Sequence, residues 1–402
     1  MKRILAIGVA AAMFSGAQAT ENIDSVASDT LGFGFVDQIV IPVTPVKDQN
    51  KSGTCWSFAG TGFFEHEILK NTGDTVDLSE MFIVRKCYED KADRYVRLYG
   101  NCNFSPGGSV LDAPYVMRRY GLMPEEAYAG LEYGEDKHVH GELQSALEGV
   151  VKAAVSKPNR RVSTAWRKAL DGVLDAYLGT VPATFEYKGK TYTPESFAAS
   201  LGINPDDYIA VTSFTHHPFY EPFILEICDN WLWEKYQNVP LDELKAIVDN
   251  ALEHGYTVGW AADVSEGGFK WLEGVALMPE GKDAGDLTGT ELARWVKLPS
   301  GARNEEKYNF SGPVPEITVT QESRQKMFDS QETTDDHGMV IVGTAVDRKG
   351  NRYYKVKNSW NTYQVYGGYI YVSEPYFLAK TLDIYVNKAA VPKDIAKKIL
   401  KK

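Results

Sequence analysis

The chain has 402 residues, of which 44% are hydrophobic and 12% aromatic, so it can bury a substantial core and is longer than one average domain needs. Its 43 basic and 54 acidic residues give a formal net charge of -11, and the one short basic stretch lies at the very end. This composition indicates a globular protein and disfavours a nucleic-acid-binding surface. No nucleic-acid partner is expected.

The amino terminus has the pattern of a secretory signal peptide. Two basic residues precede an apolar run from Ile4 to Phe14, and small residues follow up to Ala19. The run is too short to span a bilayer, and the small residues match a cleavage site. We therefore expect residues 1–19 to be removed from an exported protein without a membrane anchor, located in a periplasm or outside the cell.

Cys55 is predicted to lie at the amino terminus of a helix. Gly53 allows a sharp turn, and apolar residues then recur with a helical period from Trp56 to Ile68, with a stop expected near residues 71–73. A helix amino terminus stabilises a thiolate, the reactive form of cysteine, by at most about 2 kcal/mol. Lowering a thiol pKa from about 8.5 to about 4 requires roughly 6 kcal/mol, so a nearby imidazolium is also required.

The other cysteines are too few for a disulfide framework in a chain of this length. They are Cys87, Cys102 and Cys228. Cys87 with Cys102 is the one pair that we consider, and ordinary buried thiols are the alternative for all three.

Residues 136–240 are predicted to form a mostly helical insertion. Apolar stripes over Leu143–Val150 and Trp166–Leu178 indicate two helices, a hairpin is expected around Lys188, and Thr193 looks like a helix start. The remaining divisions are a segment with the catalytic-cysteine lobe over 20–135, a β lobe over 241–390 and a short basic helix over 391–402.

His337 is the histidine that fits as the partner of Cys55. Met339–Asp347 reads as a strand and residues 352–358 as the strand that returns beside it. Such a hairpin brings His337 and Asn358 to the same open end, so the two side chains can touch.

The remaining histidines fit less well. His66 lies about 16 Å along the Cys55 helix, too far to reach the sulfur. The pairs His216–His217 and His138–His140 have no cysteine or carboxylate at ligand spacing, so we interpret them as solvated or loop histidines and expect no metal.

Three motifs follow the order found in papain-like cysteine peptidases, and the chain resembles this family. Gln49 lies six residues before Cys55, His337 comes next, and Asn358 is followed by Ser359 and Trp360. The resemblance implies an α+β fold of two lobes, a helical lobe with Cys55 and a mostly antiparallel β lobe with the histidine and asparagine. It also implies hydrolysis of peptide or protein substrates through a thioester, without metal or organic cofactor.

The same resemblance implies a role for each motif residue. Gln49 and the Cys55 backbone N–H would hold the oxyanion, Asn358 would orient His337, and Trp360 would shield their hydrogen bond. The other residues implied are the substrate-binding Gly107 and Gly108 and the supporting Asp336.

Residues 242–260 and the ending around 369–392 resemble the bleomycin hydrolase branch. That branch implies an aminopeptidase, often a hexamer, whose carboxy-terminal arm binds the amino group of the substrate. After Pro392 this chain has only a basic helix, which stops before such an arm. An open-cleft endopeptidase therefore stays an alternative, as do an inactive exported binding protein of the same fold and a transglutaminase-like acyl transferase.

Overall fold

The computed structural model describes residues 32–158, 160–281 and 288–400, so the predicted signal peptide lies outside the described residues. The helices are α1 (Cys55–Thr72), α2 (Glu80–Arg97), α3 (Asp112–Tyr120), α4 (Gly141–Ser156), α5 (Ala165–Leu178), α6 (Pro194–Ser200), α7 (Leu241–Glu253), α8 (Gly289–Lys297), α9 (Ser300–Lys307), α10 (Gln321–Asp329), α11 (Glu374–Lys380) and α12 (Lys393–Ile399). The strands are β1 (Val36–Val40), β2 (Phe185–Tyr187), β3 (Lys190–Tyr192), β4 (Tyr208–Thr212), β5 (Phe223–Ile224), β6 (Lys235–Asn238), β7 (Val258–Ala262), β8 (Phe269–Lys270), β9 (Val275–Ala276), β10 (His337–Val346), β11 (Arg352–Lys357), β12 (Tyr369–Ser373) and β13 (Thr381–Asn387).

Within the described residues, one sheet of eleven strands forms the β lobe. Its order is β5-β6-β4-β13-β7-β10-β11-β12-β9-β8, and β1 pairs with β10. The pairs are antiparallel except β4 with β6 and β12 with β9. The α+β architecture with a mostly antiparallel lobe is confirmed.

The hairpin of β10 and β11 lies near the centre of this sheet, as predicted. Its turn is held by Asp347, whose side chain accepts from the N–H groups of Lys349 at 2.8 Å and Asn351 at 2.9 Å. β7 pairs with the first half of β10, and β1 takes over that edge from Gly343, where a Cβ would collide with the backbone of β1. His337 therefore begins a strand whose first residues pair with β7 and which is paired on both sides from Val340 onward.

The helical lobe is organised around α1, which packs against β10 on one side and against α2 and α3 on the other. Side chains from Trp56 to Ile68 are buried, because the helix is covered on all sides. Gly60 permits this approach, since a Cβ there would lie 2.7 Å from the Cβ of Ala113. The helix ends as predicted, at Gly73, whose φ of 76° places it in the left-handed region.

The prediction of a mostly helical insertion holds only for its first part. α4 and α5 bury Leu143 and Leu174 in the core beside α2, the β2–β3 hairpin turns at Lys188, and Thr193 caps α6. The segment from 201 to 240 has one short 3-10 helix, at Pro205–Asp207, and otherwise contributes strands, since β4 pairs with β13 in the main sheet and β6 pairs with β4. The β-branched and aromatic run of β4 favours a buried strand, and its partner lies far along the chain.

The carboxy-terminal helix α12 packs on the outside of the β lobe. Ile395 and Ile399 are buried in the same apolar cluster as Leu244 of α7, and Lys398 forms an ion pair with Glu243 at 2.5 Å. The predicted basic helix is therefore present, and it lies against α7.

Candidate active site

Cys55 is the first residue of α1 and is half buried. The chain turns just before it at Gly53, whose φ is 69° and whose missing Cβ makes room for Pro106. The sulfur accepts a hydrogen bond from the backbone N–H of Gly338, the second residue of β10. A Cβ on Gly338 would lie 3.2 Å from the Cα of Trp56, so glycine lets the strand approach the start of the helix.

His337 and Asn358 meet as the sequence predicted. The imidazole Nε2 lies 2.7 Å from Asn358 Oδ1, and both residues are buried. The same Oδ1 accepts from the backbone N–H of Ser359 at 2.7 Å, which identifies it as the oxygen. By this hydrogen-bond pattern Nε2 carries the proton and Nδ1 is left as the acceptor. The ring of Trp360, 4.6 Å from the imidazole centroid, covers the pair.

Gln49 is fixed beside this pair by Ser359. Its backbone N–H donates to the Ser359 carbonyl at 2.8 Å, and its Oε1 accepts from the Ser359 hydroxyl at 2.7 Å. Because Oε1 is occupied, the Nε2 end of the amide is the one available to donate to another group. The neighbouring bridge between Asp48 and Trp360 holds the two segments in register.

Burial disfavours the charged form of both reactive groups. It raises the pKa of Cys55 to about 12, and the negative charges of Asp229 and Asp335 add to the rise. It lowers the pKa of His337 to about 4, against the opposing hydrogen bond to Asn358. Both shifts act against the thiolate and the imidazolium that the sequence argument called for. The sequence argument could not include carboxylates that only the fold brings to the sulfur.

Comparisons with known proteins identify the family of the chain. The family model described as Papain family cysteine protease matches residues 36–193, and the model described as Peptidase C1-like family matches residues 285–402. The chain belongs to the papain-like cysteine peptidases. Within that family it is related to the aminopeptidase C branch.

The relatives are distant but extend over most of the peptidase. Aminopeptidase C of Lactobacillus delbrueckii subsp. lactis is 24% identical over 89% of this chain and 83% of its own length. Aminopeptidase C of Lactococcus lactis subsp. cremoris is 23% identical over 86% of this chain and 80% of its own length. The crystal structure of PepW from Lactobacillus rhamnosis has the same fold, with a TM-score of 0.66 and 19% identity over 92% of this chain and 86% of that one.

At the two predicted substrate-binding glycines, backbone groups are already hydrogen-bonded to side chains of the protein itself. Gly107 and Gly108 lie in the cleft wall, where the Lys91 ammonium donates to the Gly107 carbonyl and the Gly108 N–H donates to the Asp229 carboxylate. A Cβ on Gly107 would lie 2.6 Å from Asp229 Oδ1. The close approach that favours glycine here is therefore an approach to a carboxylate.

The predicted supporting residue, Asp336, holds the segment before β10. Its carboxylate accepts from the backbone N–H groups of Val264 at 3.2 Å and Ser265 at 3.1 Å, and from the Thr334 hydroxyl at 2.9 Å. It thus ties the end of β7 to the chain that enters His337, and acts on the position of the histidine.

Three carboxylates beside Cys55 were missed from the sequence. Asp229, Asp335 and Asp383 line, with Cys55 and His337, one small cavity. Two of them left a signal in the sequence, since Asp335 belongs to an acidic pair directly before the histidine and Asp383 interrupts an apolar strand. Asp229 left none, because only the path of its loop brings it to the cleft.

The structure corrects the interpretation of two histidine pairs. His138 and His140 lie in a loop, as one of the two interpretations had it, but they are buried and not solvated. His216 and His217 lie 3.1 Å and 2.9 Å from the two oxygens of Glu226, so a carboxylate does accompany them.

This histidine and carboxylate cluster is explained by hydrogen bonds. Gln325 Oε1 accepts from the Thr215 N–H at 2.6 Å, so its amide nitrogen, 3.1 Å from His216 Nδ1, is the donor there. The proton of His216 therefore lies on Nε2, toward Glu226. A metal ligand at Nε2 would need the opposite tautomer.

The four cysteines are unpaired. Cys87 is buried, as expected of a free thiol, but Cys102 is half buried and Cys228 is exposed, so the interpretation as buried thiols is wrong for these two. Among the described residues no helix has the length and apolar character needed to cross a membrane.

Proposed function

We propose that the chain is an exported cysteine aminopeptidase that works through Cys55, His337 and Asn358. The observation that carries this proposal is the 2.7 Å hydrogen bond from His337 Nε2 to Asn358 Oδ1, directly beside the cysteine that begins α1. This hydrogen bond fixes the imidazole of His337 and leaves its Nδ1 free to act as a base. The nucleophile beside it is held by the backbone N–H of Gly338 at the start of β10.

Acylation begins when the Cys55 thiol transfers its proton to His337 Nδ1 and the sulfur attacks the peptide carbonyl. The oxyanion accepts from Gln49 Nε2 and from the Cys55 backbone N–H, which has no intrahelical acceptor at the start of a helix. His337 then gives its proton to the departing amine, leaving a thioester. Water loses a proton to the same imidazole as it attacks the thioester, and the acid product and the thiol are released.

Replacement of the nucleophile is the first test. Cys55→Ala should abolish peptide hydrolysis and leave the fold intact, because only a half-buried sulfur is removed. The matched control is Cys102→Ala, a half-buried thiol that does not line the cavity beside Cys55, which should retain activity. Hydrolysis by Cys55→Ala at more than about a hundredth of the starting kcat/KM would contradict the mechanism, since loss of a nucleophile costs far more.

Aminopeptidase action is favoured over an open cleft because Asp229 occupies the Gly108 N–H that an extended peptide would use. The relatives named aminopeptidase C point the same way. We expect hydrolysis of a peptide with a free amino terminus and little hydrolysis of its acetylated form. Equal rates on both peptides would support endopeptidase action.

Export and catalytic competence have separate tests. Cell fractionation and amino-terminal sequencing should find a protein that begins at Thr20 outside the cytoplasm. A thiol-directed epoxide should label Cys55, because the inactive alternative lacks an activated sulfur. Absence of labelling on folded protein would favour the binding protein over the peptidase.

A further inference from the structure

The cavity beside Cys55 is unusual for its concentration of carboxylates. Asp229 comes from the loop between β5 and β6, Asp335 from the segment that enters β10, and Asp383 from β13. Three distant parts of the chain thus deliver an acidic side chain to one cavity, next to the reacting sulfur.

Asp383 is the best evidence that something cationic belongs there. Its side chain is 2% exposed, and its Oδ2 has no hydrogen-bond partner among the described residues. Asp335 Oδ2 is likewise buried without a partner. A buried carboxylate oxygen with no donor costs free energy, so such groups in native proteins call for a specific explanation.

Asp229 also limits how far a bound peptide can extend along the cleft. Its carboxylate accepts from the Gly108 N–H, and its own backbone N–H donates to Asp335, so the loop bridges the two walls of the cleft. The loop is built to stay there: Asn230 donates to the Leu225 carbonyl at 3.0 Å, and the next residue, Trp231, donates to an α3 carboxylate at 2.7 Å. A bound peptide therefore cannot extend past this point along Gly108.

The ammonium group of Lys91 lies near these carboxylates but donates its hydrogen bonds to other groups. Lys91 is the cation that acts on Asp229, but its ammonium donates to the carbonyls of Ser105 and Gly107 and lies near the rings of Trp56 and Trp231. The carboxylates of the cavity thus outnumber the positive charge that faces them. An added ammonium group would be attracted to them.

We propose that Asp229, Asp335 and Asp383 form a subsite that binds the positively charged amino end of the peptide substrate. The bridge made by Asp229 stops the chain of the peptide, and the unpartnered oxygens of the other two accept from its ammonium group. This subsite rests on the proposed peptidase function. It would select substrates by the free amino terminus, using side chains from within the peptidase.

The cation could belong to the α-amino group or to a lysine side chain, so the test uses three fluorogenic substrates. They are a free leucyl amide, its acetylated form, and an acetylated lysyl-leucyl amide, which has a side-chain ammonium but no α-amino group. Each is measured with the unmodified enzyme, Asp229→Asn, Asp383→Asn and the control Asp136→Asn, which changes an exposed aspartate outside the cleft. Epoxide titration of Cys55 normalises each rate to active enzyme.

The proposal predicts that the free amide is cleaved at least tenfold better than both acetylated substrates. Asp229→Asn and Asp383→Asn should lower kcat/KM for the free amide about 10- to 100-fold, mainly through KM, and lower the ratio of that kcat/KM to the kcat/KM of the acetylated amide by a similar factor. Asp136→Asn should match the starting enzyme. If the lysyl substrate is cleaved as well as the free amide, the assignment to the α-amino group is overturned.

Failure of the subsite differs from failure of the proposed function. An enzyme that Cys55 labelling shows to be active, but that cleaves free and acetylated amides equally in every variant, would overturn the subsite and leave the peptidase standing. Absence of labelling and of hydrolysis with all three substrates would overturn the peptidase mechanism itself.

Discussion

The protein buries two groups of carboxylates, and they differ in whether it supplies a cation for them. In the helical lobe, Lys47 Nζ lies 3.0 Å from Glu65 and 2.7 Å from Glu80, and hydroxyls of Thr44 and Thr61 donate to the same carboxylates. Beside Cys55, Asp335 and Asp383 each have a buried oxygen without a partner, and neither they nor Asp229 form an ion pair among the described contacts.

The presence or absence of a cation indicates whether a buried carboxylate group stabilises the fold or binds a ligand. A buried carboxylate that is paired and hydrogen-bonded holds parts of the chain together, as Glu65 does between the amino-terminal segment and α1. A buried carboxylate that lacks its cation lowers the stability of the free protein, and a ligand that brings the cation recovers that free energy. The first group therefore belongs to the fold and the second to the substrate.

Removing the cation of the first group should have the largest effect on stability. Lys47→Met leaves Glu65 and Glu80 buried without their cation, so we expect a loss of about 3–5 kcal/mol in the free energy of unfolding. Urea denaturation measures it, and Lys51→Met, an exposed lysine nearby, is the control. A loss below about 1 kcal/mol for Lys47→Met would remove the contrast between the two groups.

Asp383→Asn should act in the opposite direction. Burial raises the pKa of Asp383 from 3.8 to about 7, so the folded protein holds a proton there that the unfolded chain has released. Stability therefore falls as pH rises from about 4 to about 7, and the amide removes this loss. At about 1.4 kcal/mol per unit, we expect a gain of about 2–4 kcal/mol at pH 8 and almost none at pH 4.

Thermal or urea unfolding at both pH values checks this prediction. The charge of Asp383 raises the pKa values of Asp335 and Tyr236. The gain in the free energy of unfolding from Asp383→Asn should therefore be smaller in a protein that already carries Asp335→Asn. A destabilised Asp383→Asn at pH 8 would mean that the carboxylate already has a favourable partner, and would count against an unfilled subsite.

The sequence predicted the parts of the site that depend on local patterns. The helical period after Cys55 placed its helix, and the turn expected at Arg348–Asn351 placed His337 and Asn358 at one end of a hairpin. Both predictions need only neighbouring residues and regular geometry. The hydrogen bond of 2.7 Å then follows from the register of two adjacent strands.

The acidic cavity could not be predicted because it depends on contacts across the whole chain. Trp231 is anchored by Asp112, 119 residues earlier, and this contact carries Asp229 over the cleft. The strand β4 was not predicted for the same reason, because its partner β13 lies far along the chain. Asp383 left the clearer of the two signals in the sequence, since aspartate is disfavoured in a buried strand without a specific role.

The reactivity of Cys55 should report the charge of the cavity with a smaller effect. Burial and the carboxylates of Asp229 and Asp335 together raise the thiol pKa, so removing one negative charge should lower it. We expect Asp335→Asn to lower the apparent pKa for alkylation of Cys55 by about half a unit to one unit. Iodoacetamide inactivation across pH measures it, with Asp136→Asn as control. An unchanged or raised value would show that the carboxylate does not act on the sulfur.

The smallest effect should come from an ion pair that water reaches. Lys355 lies 2.5 Å from Asp37, with side chains 17% and 28% exposed, so the pair is partly screened. Lys355→Met keeps the alkyl chain beside Tyr369 and Tyr371, and we expect a loss below about 1 kcal/mol that shrinks further in high salt. Urea unfolding at low and high salt measures it. Lys355→Met could instead lower the free energy of unfolding as much as Lys47→Met does. Deep burial would then not be what makes a paired carboxylate important for stability. The contrast with the cavity beside Cys55 would then rest on geometry alone.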